Sequence, residues 1–159
     1  MKNTLLMLVA AFSTVALAAD NYPRVPYPEN VRSWRHIKSM VINPGHPLYA
    51  DFGGIHHIYA NEPAVKGYRS GKFPDGSRIA FELFEARTQG KTIVEGKNKF
   101  LAVMEKDRAK YPKTGGWGFE AFKNYDPQMR VVGGNAAKAC FGCHAQQKQS
   151  GYVFSKMRD

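Results

Sequence analysis

The stretch "GIHHIYANEPAVKGYRSGKFPDGSRIAFELFEAR", residues 54–87, decides the fold. Residues 54–60 are rich in β-branched and aromatic side chains and read as a strand. Asn61 can then cap a helix, Pro63 suits its first turn, and Gly71 can end it. "FPDG" (73–76) is a turn by its chemistry, since proline fixes one dihedral and glycine allows a positive φ. Residues 77–87 alternate, with Ile79, Phe81 and Leu83 on one side and Arg78 and Glu82 on the other, as in a half-buried strand. Strand, short helix, tight turn and strand therefore follow one another.

Outward from this block the pattern continues. "KFLAVMEKD" (99–107) alternates again, and "GWGFEAFKNY" (116–125) is a fourth strand candidate behind glycines that suit a turn or a close backbone approach. Upstream, "ENVRSWRHIKSM" (29–40) has apolar residues at Val31, Trp34, Ile37 and Met40, and spacings of three predict an amphipathic helix. "VINPGHPLYADFG" (41–53) is broken by two prolines and reads as loop. A last helix, "AAKACFGCHAQQK" (136–148), follows Asn135 as its cap. Strands with turn-like connections between terminal helices define an α+β class with an antiparallel sheet.

The chain opens "MKNTLLMLVAAFSTVALAADNYP". A positive Lys2, an apolar run and Ala16-Leu17-Ala18 read as a secretory signal peptide over residues 1–18. Residues 19–159 then form a single domain in the periplasm. The apolar run is shorter than a spanning helix requires, and no later stretch could span a bilayer. With 23 Lys and Arg against 13 Asp and Glu, the formal charge is +10. Such a surface favours acidic protein partners, and export argues against nucleic acid.

Only two cysteines are present, and both lie in "CFGCH" (140–144). A disulfide three residues apart closes too small a loop to add much stability. Three chemistries compete for the motif. Zinc needs four ligands, and no second paired motif accompanies Cys140 and Cys143. Thiol–disulfide exchange normally uses a C-x-x-C at the start of a βαβ unit, whereas this one is near the C-terminus. The third is covalent haem, which the spacing favours. Two thiols on a helical turn reach two vinyl groups, and the following His144 is placed to bind the iron. One motif means one haem c, and the upstream sheet must supply its other wall.

Residues 55–86, "GGWGFEAFK" (115–123) and "CFGCHAQQKQSGYVFSK" (140–156) together resemble the cytochrome P-460 and cytochrome c′-beta family. The resemblance implies an antiparallel sheet packed over the haem and a homodimer. The family includes hydroxylamine-oxidising enzymes and gas-binding cytochromes that react with nitric oxide and carbon monoxide. Cys140, Cys143 and His144 match attachment and proximal ligation. The position of the lysine that oxidising members cross-link to the haem falls on Phe81, which has no nucleophilic nitrogen. His56 falls near their distal arginine. The chain thus looks more like the cytochrome c′-beta side, with an apolar distal pocket.

The alternation that turns Phe81 inward also turns Ile79 inward. A hydrocarbon wall there disfavours charged ligands, which lose hydration on entry, and tolerates NO or CO. His56 and His57 are neighbours on a strand and point to opposite faces. An inward His56 has three possible roles: iron ligand, hydrogen-bond donor to a bound ligand, or structural residue. Three functions remain open: a gas-binding cytochrome, an electron carrier with a second protein ligand, and hydroxylamine or NO oxidation.

Overall fold

The computed structural model describes residues 22–158. The signal segment expected over residues 1–18 lies outside them. Five strands form one sheet in the order β1-β2-β3-β4-β5, each antiparallel to its neighbour. They are β1 (Arg35–Ile42), β2 (Gly54–Ala60), β3 (Arg78–Gln89), β4 (Thr92–Lys106) and β5 (Trp117–Phe122). A single turn, α1 (Tyr49–Phe52), lies between β1 and β2, and α2 (Glu62–Ser70) between β2 and β3. A C-terminal helical segment spans residues 133–150. Among the described residues no helix is long and apolar enough to cross a membrane.

The block 54–87 folds as its residues dictate. Asn61 Oδ1 accepts the Ala64 N–H at 3.1 Å, and Gly71 ends α2 with φ 73°. The same oxygen accepts the Arg78 N–H at 2.8 Å, and Asn61 Nδ2 donates to the Gly76 carbonyl at 2.9 Å. One side chain thus joins the helix start, the turn and the entry to β3. Asn61→Ala is expected to cost about 3 kcal/mol, the loss of a cap plus two further bonds. Asn61→Asp keeps the acceptor and should cost about half as much. Chemical denaturation of the two variants checks both values.

Residues 29–40 do not form the expected helix. Val31–Ser33 make one 3-10 turn, and β1 runs from Arg35 to Ile42 as an edge strand. The pairing of β1 with β2 shifts register between His36 and Lys38, so a bulge carries Ile37 into the core. Turn plus bulge reproduces the apolar spacing of three without a helix. Met40, the fourth apolar position, is 38% exposed, where a helix would have buried it.

The sheet is buried on both faces. On the first face Ile37, Ala60, Ile79, Met104 and Phe119 pack with Ala64 and Val65 of α2, and with Phe73, Trp117 and Val153. On the second face Ala80, Leu101, Val103, Tyr111 and Phe122 pack with Val25 and Val31, because the N-terminal stretch doubles back over the sheet. Trp34 joins this second core, with the Arg78 guanidinium 5.4 Å from its ring centre, so it packs away from the site described below. Glu82, read as the polar side of β3, is 1% exposed. Its carboxylate accepts from Arg32 Nε at 3.0 Å and the Tyr125 hydroxyl at 2.8 Å, which offsets the cost of burial.

Candidate haem site

Glu120 on β5 fixes where the C-terminal segment begins. Its buried carboxylate accepts the N–H groups of Ala121 and Val132 at 2.9 Å and of Gly133 at 3.3 Å, and pairs with Arg130 at 3.3 Å. The segment that follows is helical but irregular. A 3-10 turn (Gly133–Asn135) leads into a wide π turn (Ala137–Phe141), a short α turn, α3 (Gly142–His144), and a 3-10 stretch (Ala145–Ser150). The Asn135 side chain makes no capping bond, so the expected cap is not realised. Glu120, one strand earlier, holds the free N–H groups of Val132 and Gly133 instead.

Cys140 and Phe141 lean against the first-face core, so this segment lies on the side of the sheet that carries Ile79. Neither cysteine is in a disulfide, and Cys143 is exposed. Burial, followed by the Glu120 and Cys143 charges, pushes the Cys140 thiol up to about 11. His144 Nδ1 lies 2.7 Å from the Tyr152 carbonyl. A carbonyl only accepts, so Nδ1 carries the proton and Nε2 keeps its lone pair. Burial holds His144 below the ordinary histidine pKa. Phe119 and Phe154 flank its ring at 4.8 and 5.0 Å between centres.

The same sheet face continues beyond the core as a half-buried apolar row. Ile58, Phe81 and Ala102 are paired neighbours across β2, β3 and β4, and all three are only partly covered. Phe81 lies 5.7 Å from Phe100 and 6.3 Å from Phe52 of α1. Ile79, two residues along, is 6% exposed and belongs to the core behind this row. His56 is buried and stacks on Phe81 at 5.3 Å and 20°. Its Nε2 donates to the Phe52 carbonyl at 2.6 Å, so Nε2 is committed and Nδ1 holds the lone pair. Met104 is core, while Met40 and Met129 are exposed.

The structure therefore places Phe81, Ile79, His56, Cys140 and His144 on one face of the sheet. Phe52, Phe100 and the Tyr152 carbonyl belong to the same region and were not singled out in the sequence. Phe52 lies in a proline-broken stretch, and a backbone carbonyl has no residue type to mark it. The Tyr68 hydroxyl meets Ser155 Oγ at 2.7 Å, and burial pushes its pKa up to about 12. Among the described residues no three His, Cys, Asp or Glu side chains converge as metal ligands.

The cytochrome P460 family model matches residues 28–155. This chain belongs to the cytochrome P460 family. No curated protein matches it. Cytochromes of the P460 family carry c-type haem, and the Cys140–Cys143 spacing fits the attachment motif. The match takes in all five strands and the Tyr152 turn. The residues present fit such a group. A thiol and a free imidazole nitrogen stand on the helical segment, and a half-exposed hydrocarbon row lies on the sheet face beside it.

Burial holds His56 below its ordinary pKa of about 6.5. The unfolded chain therefore takes up a proton that folded His56 refuses. Its contribution is present above about pH 6.5 and is lost as pH falls. Urea titrations at pH 7.5 and 5.5 should show a smaller acid loss for His56→Leu than for wild type.

Proposed function

We propose that the protein is an exported mono-haem c-type cytochrome that takes a neutral diatomic gas, NO or CO, against an apolar wall. In this reading residues 1–18 are the signal peptide, and 19–159 form one periplasmic haem domain. Cys140 and Cys143 would hold the haem through thioether links, and His144 Nε2 would bind its iron. The bound haem would supply an iron able to take a small neutral ligand.

The observation that carries this reading is the wall made by Phe52, Phe81 and Phe100 with His56 stacked behind it. The wall offers a ligand few hydrogen bonds, which favours small uncharged molecules over ions. His56 is the strongest candidate for a second protein ligand. Its Nε2–H is spent on the Phe52 carbonyl, so coordination through Nε2 would forfeit a buried hydrogen bond. Phe81 stands where cross-linked relatives place a lysine, which weighs against hydroxylamine oxidation.

Electron transfer is the second reading. Residues 131–158 hold Lys138, Lys148, Lys156 and Arg158 and no Asp or Glu. This basic segment surrounds the motif and suits an acidic redox partner. Association as a homodimer is part of the proposal, on the strength of the family resemblance.

Intact-mass measurement of protein matured in a periplasm tests the haem assignment. The expected result is a chain lacking residues 1–18 and carrying one covalent haem. An unmodified mass would overturn it. Exposure of the haem-loaded protein to hydroxylamine should give no turnover, and sustained turnover would favour the oxidase reading.

A further inference from the structure

Lys106, the last residue of β4, is only 8% exposed. Burying an ammonium is costly unless it is paired. Among the described residues no carboxylate lies within 4 Å of it, so it has no salt-bridge partner. It donates instead to the Gly115 carbonyl at 2.7 Å. Its Nζ lies 5.1 Å from the centre of the Trp117 ring and 5.8 Å from that of Tyr152. Two aromatic faces and one carbonyl therefore replace its water. Burial, then the nearby Arg108 charge, lowers its pKa.

The same two aromatic residues build the turn behind His144. Tyr152 has φ 69°, a left-handed conformation that is uncommon for a bulky side chain. The turn is held from several directions. Trp117 Nε1 donates to the Gly151 carbonyl at 2.9 Å, and the Tyr152 N–H donates to Gln147 at 2.7 Å. A Cβ on Gly115 would sit 2.6 Å from the Tyr152 ring, which explains the glycine there. The outcome is that the Tyr152 carbonyl meets His144 Nδ1. "GGWG" (115–118) thus supplies both the support for this carbonyl and the acceptor for the buried cation.

We propose that Lys106 is a positioning residue that sets the redox potential on the His144 side. This rests on the reading of His144 as the axial ligand. A fixed positive charge, buried one aromatic ring away from the residue whose carbonyl grips that ligand, stabilises the reduced centre, which carries one positive charge fewer. Its removal lowers the midpoint potential. Because the charge is buried, salt screens the effect only weakly.

The test compares haem-loaded wild type with Lys106→Met, Lys106→Gln and Lys106→Arg. Lys106→Met keeps the chain length and packing and removes the charge. Lys106→Gln, which can still donate to Gly115, carries the comparison if the methionine variant does not accumulate. Midpoint potentials are measured at low salt and at about 1 M salt. The expected result is a lower potential in both uncharged variants, kept at high salt, with Lys106→Arg close to wild type. Uncharged variants at the wild-type potential would overturn the proposal. So would an equal displacement by arginine, or a shift that salt abolishes. Wild-type protein without covalent haem would instead sink the underlying reading of His144, a separate outcome visible in the mass.

Discussion

Cys140→Ala/Cys143→Ala is expected to abolish covalent haem entirely, while each single variant retains at most one link. The chain holds two cysteines, so no other thiol can substitute. They differ in setting: Cys140 packs against the first-face core, and Cys143 is exposed. Cys140→Ala therefore also removes core contacts and should cost stability, of order 1 kcal/mol. Cys143→Ala should leave the fold as it was. Intact mass and denaturing gels stained for haem separate the covalent loss from any loss of stability. Persistence of a haem-sized mass increment in the double variant would show that attachment is elsewhere.

The second large effect is structural. Glu120→Ala is expected to destabilise the protein by about 3–4 kcal/mol, the range for stripping one partner from a buried charged pair. The carboxylate is 3% exposed and accepts backbone N–H groups from Ala121, Val132 and Gly133. Its removal also orphans Arg130, which donates to the Val25 carbonyl at 2.8 Å and stacks over Phe122 at 4.8 Å. Those bonds fix the chain seven residues before Cys140, so haem loading should fall with stability. Glu120→Gln keeps acceptor capacity and loses the charge, and about half the effect is expected. Urea midpoints measure both. A loss below about 1 kcal/mol for Glu120→Ala would mean that the carboxylate does not organise this segment.

What the sequence made legible depended on whether a residue's own chemistry marked its place. Asn61, Gly71 and the Pro74-Asp75-Gly76 turn each punctuate the chain locally, so β2, α2 and β3 fell where expected. The bulge at Ile37 has no such mark, and it turned strand periodicity into a pattern resembling a helix. The burial of Glu82 was hidden because the cover comes from residues 22–34, about fifty positions away, with no periodic signal of their own. In the site, Cys140, Cys143 and His144 declare themselves by spacing, and Phe81 by alternation. That His56 and His57 take opposite faces was readable, but which of them turns inward was not, nor was the commitment of His56 Nε2 to Phe52, since that bond depends on a single turn inside a loop-like stretch. Nothing beside Lys106 in sequence foretells Trp117 and Tyr152 closing over it.

The proposed function needs an open, hydrocarbon-walled coordination position opposite His144. Its most direct test is a CO titration of the reduced, haem-loaded protein, followed by absorption spectroscopy. The expected result is a high-spin spectrum that converts fully to a CO form, at one CO per chain, and that His56→Leu leaves unchanged before CO is added. A low-spin spectrum indifferent to CO, released only when His56 is replaced, would contradict it.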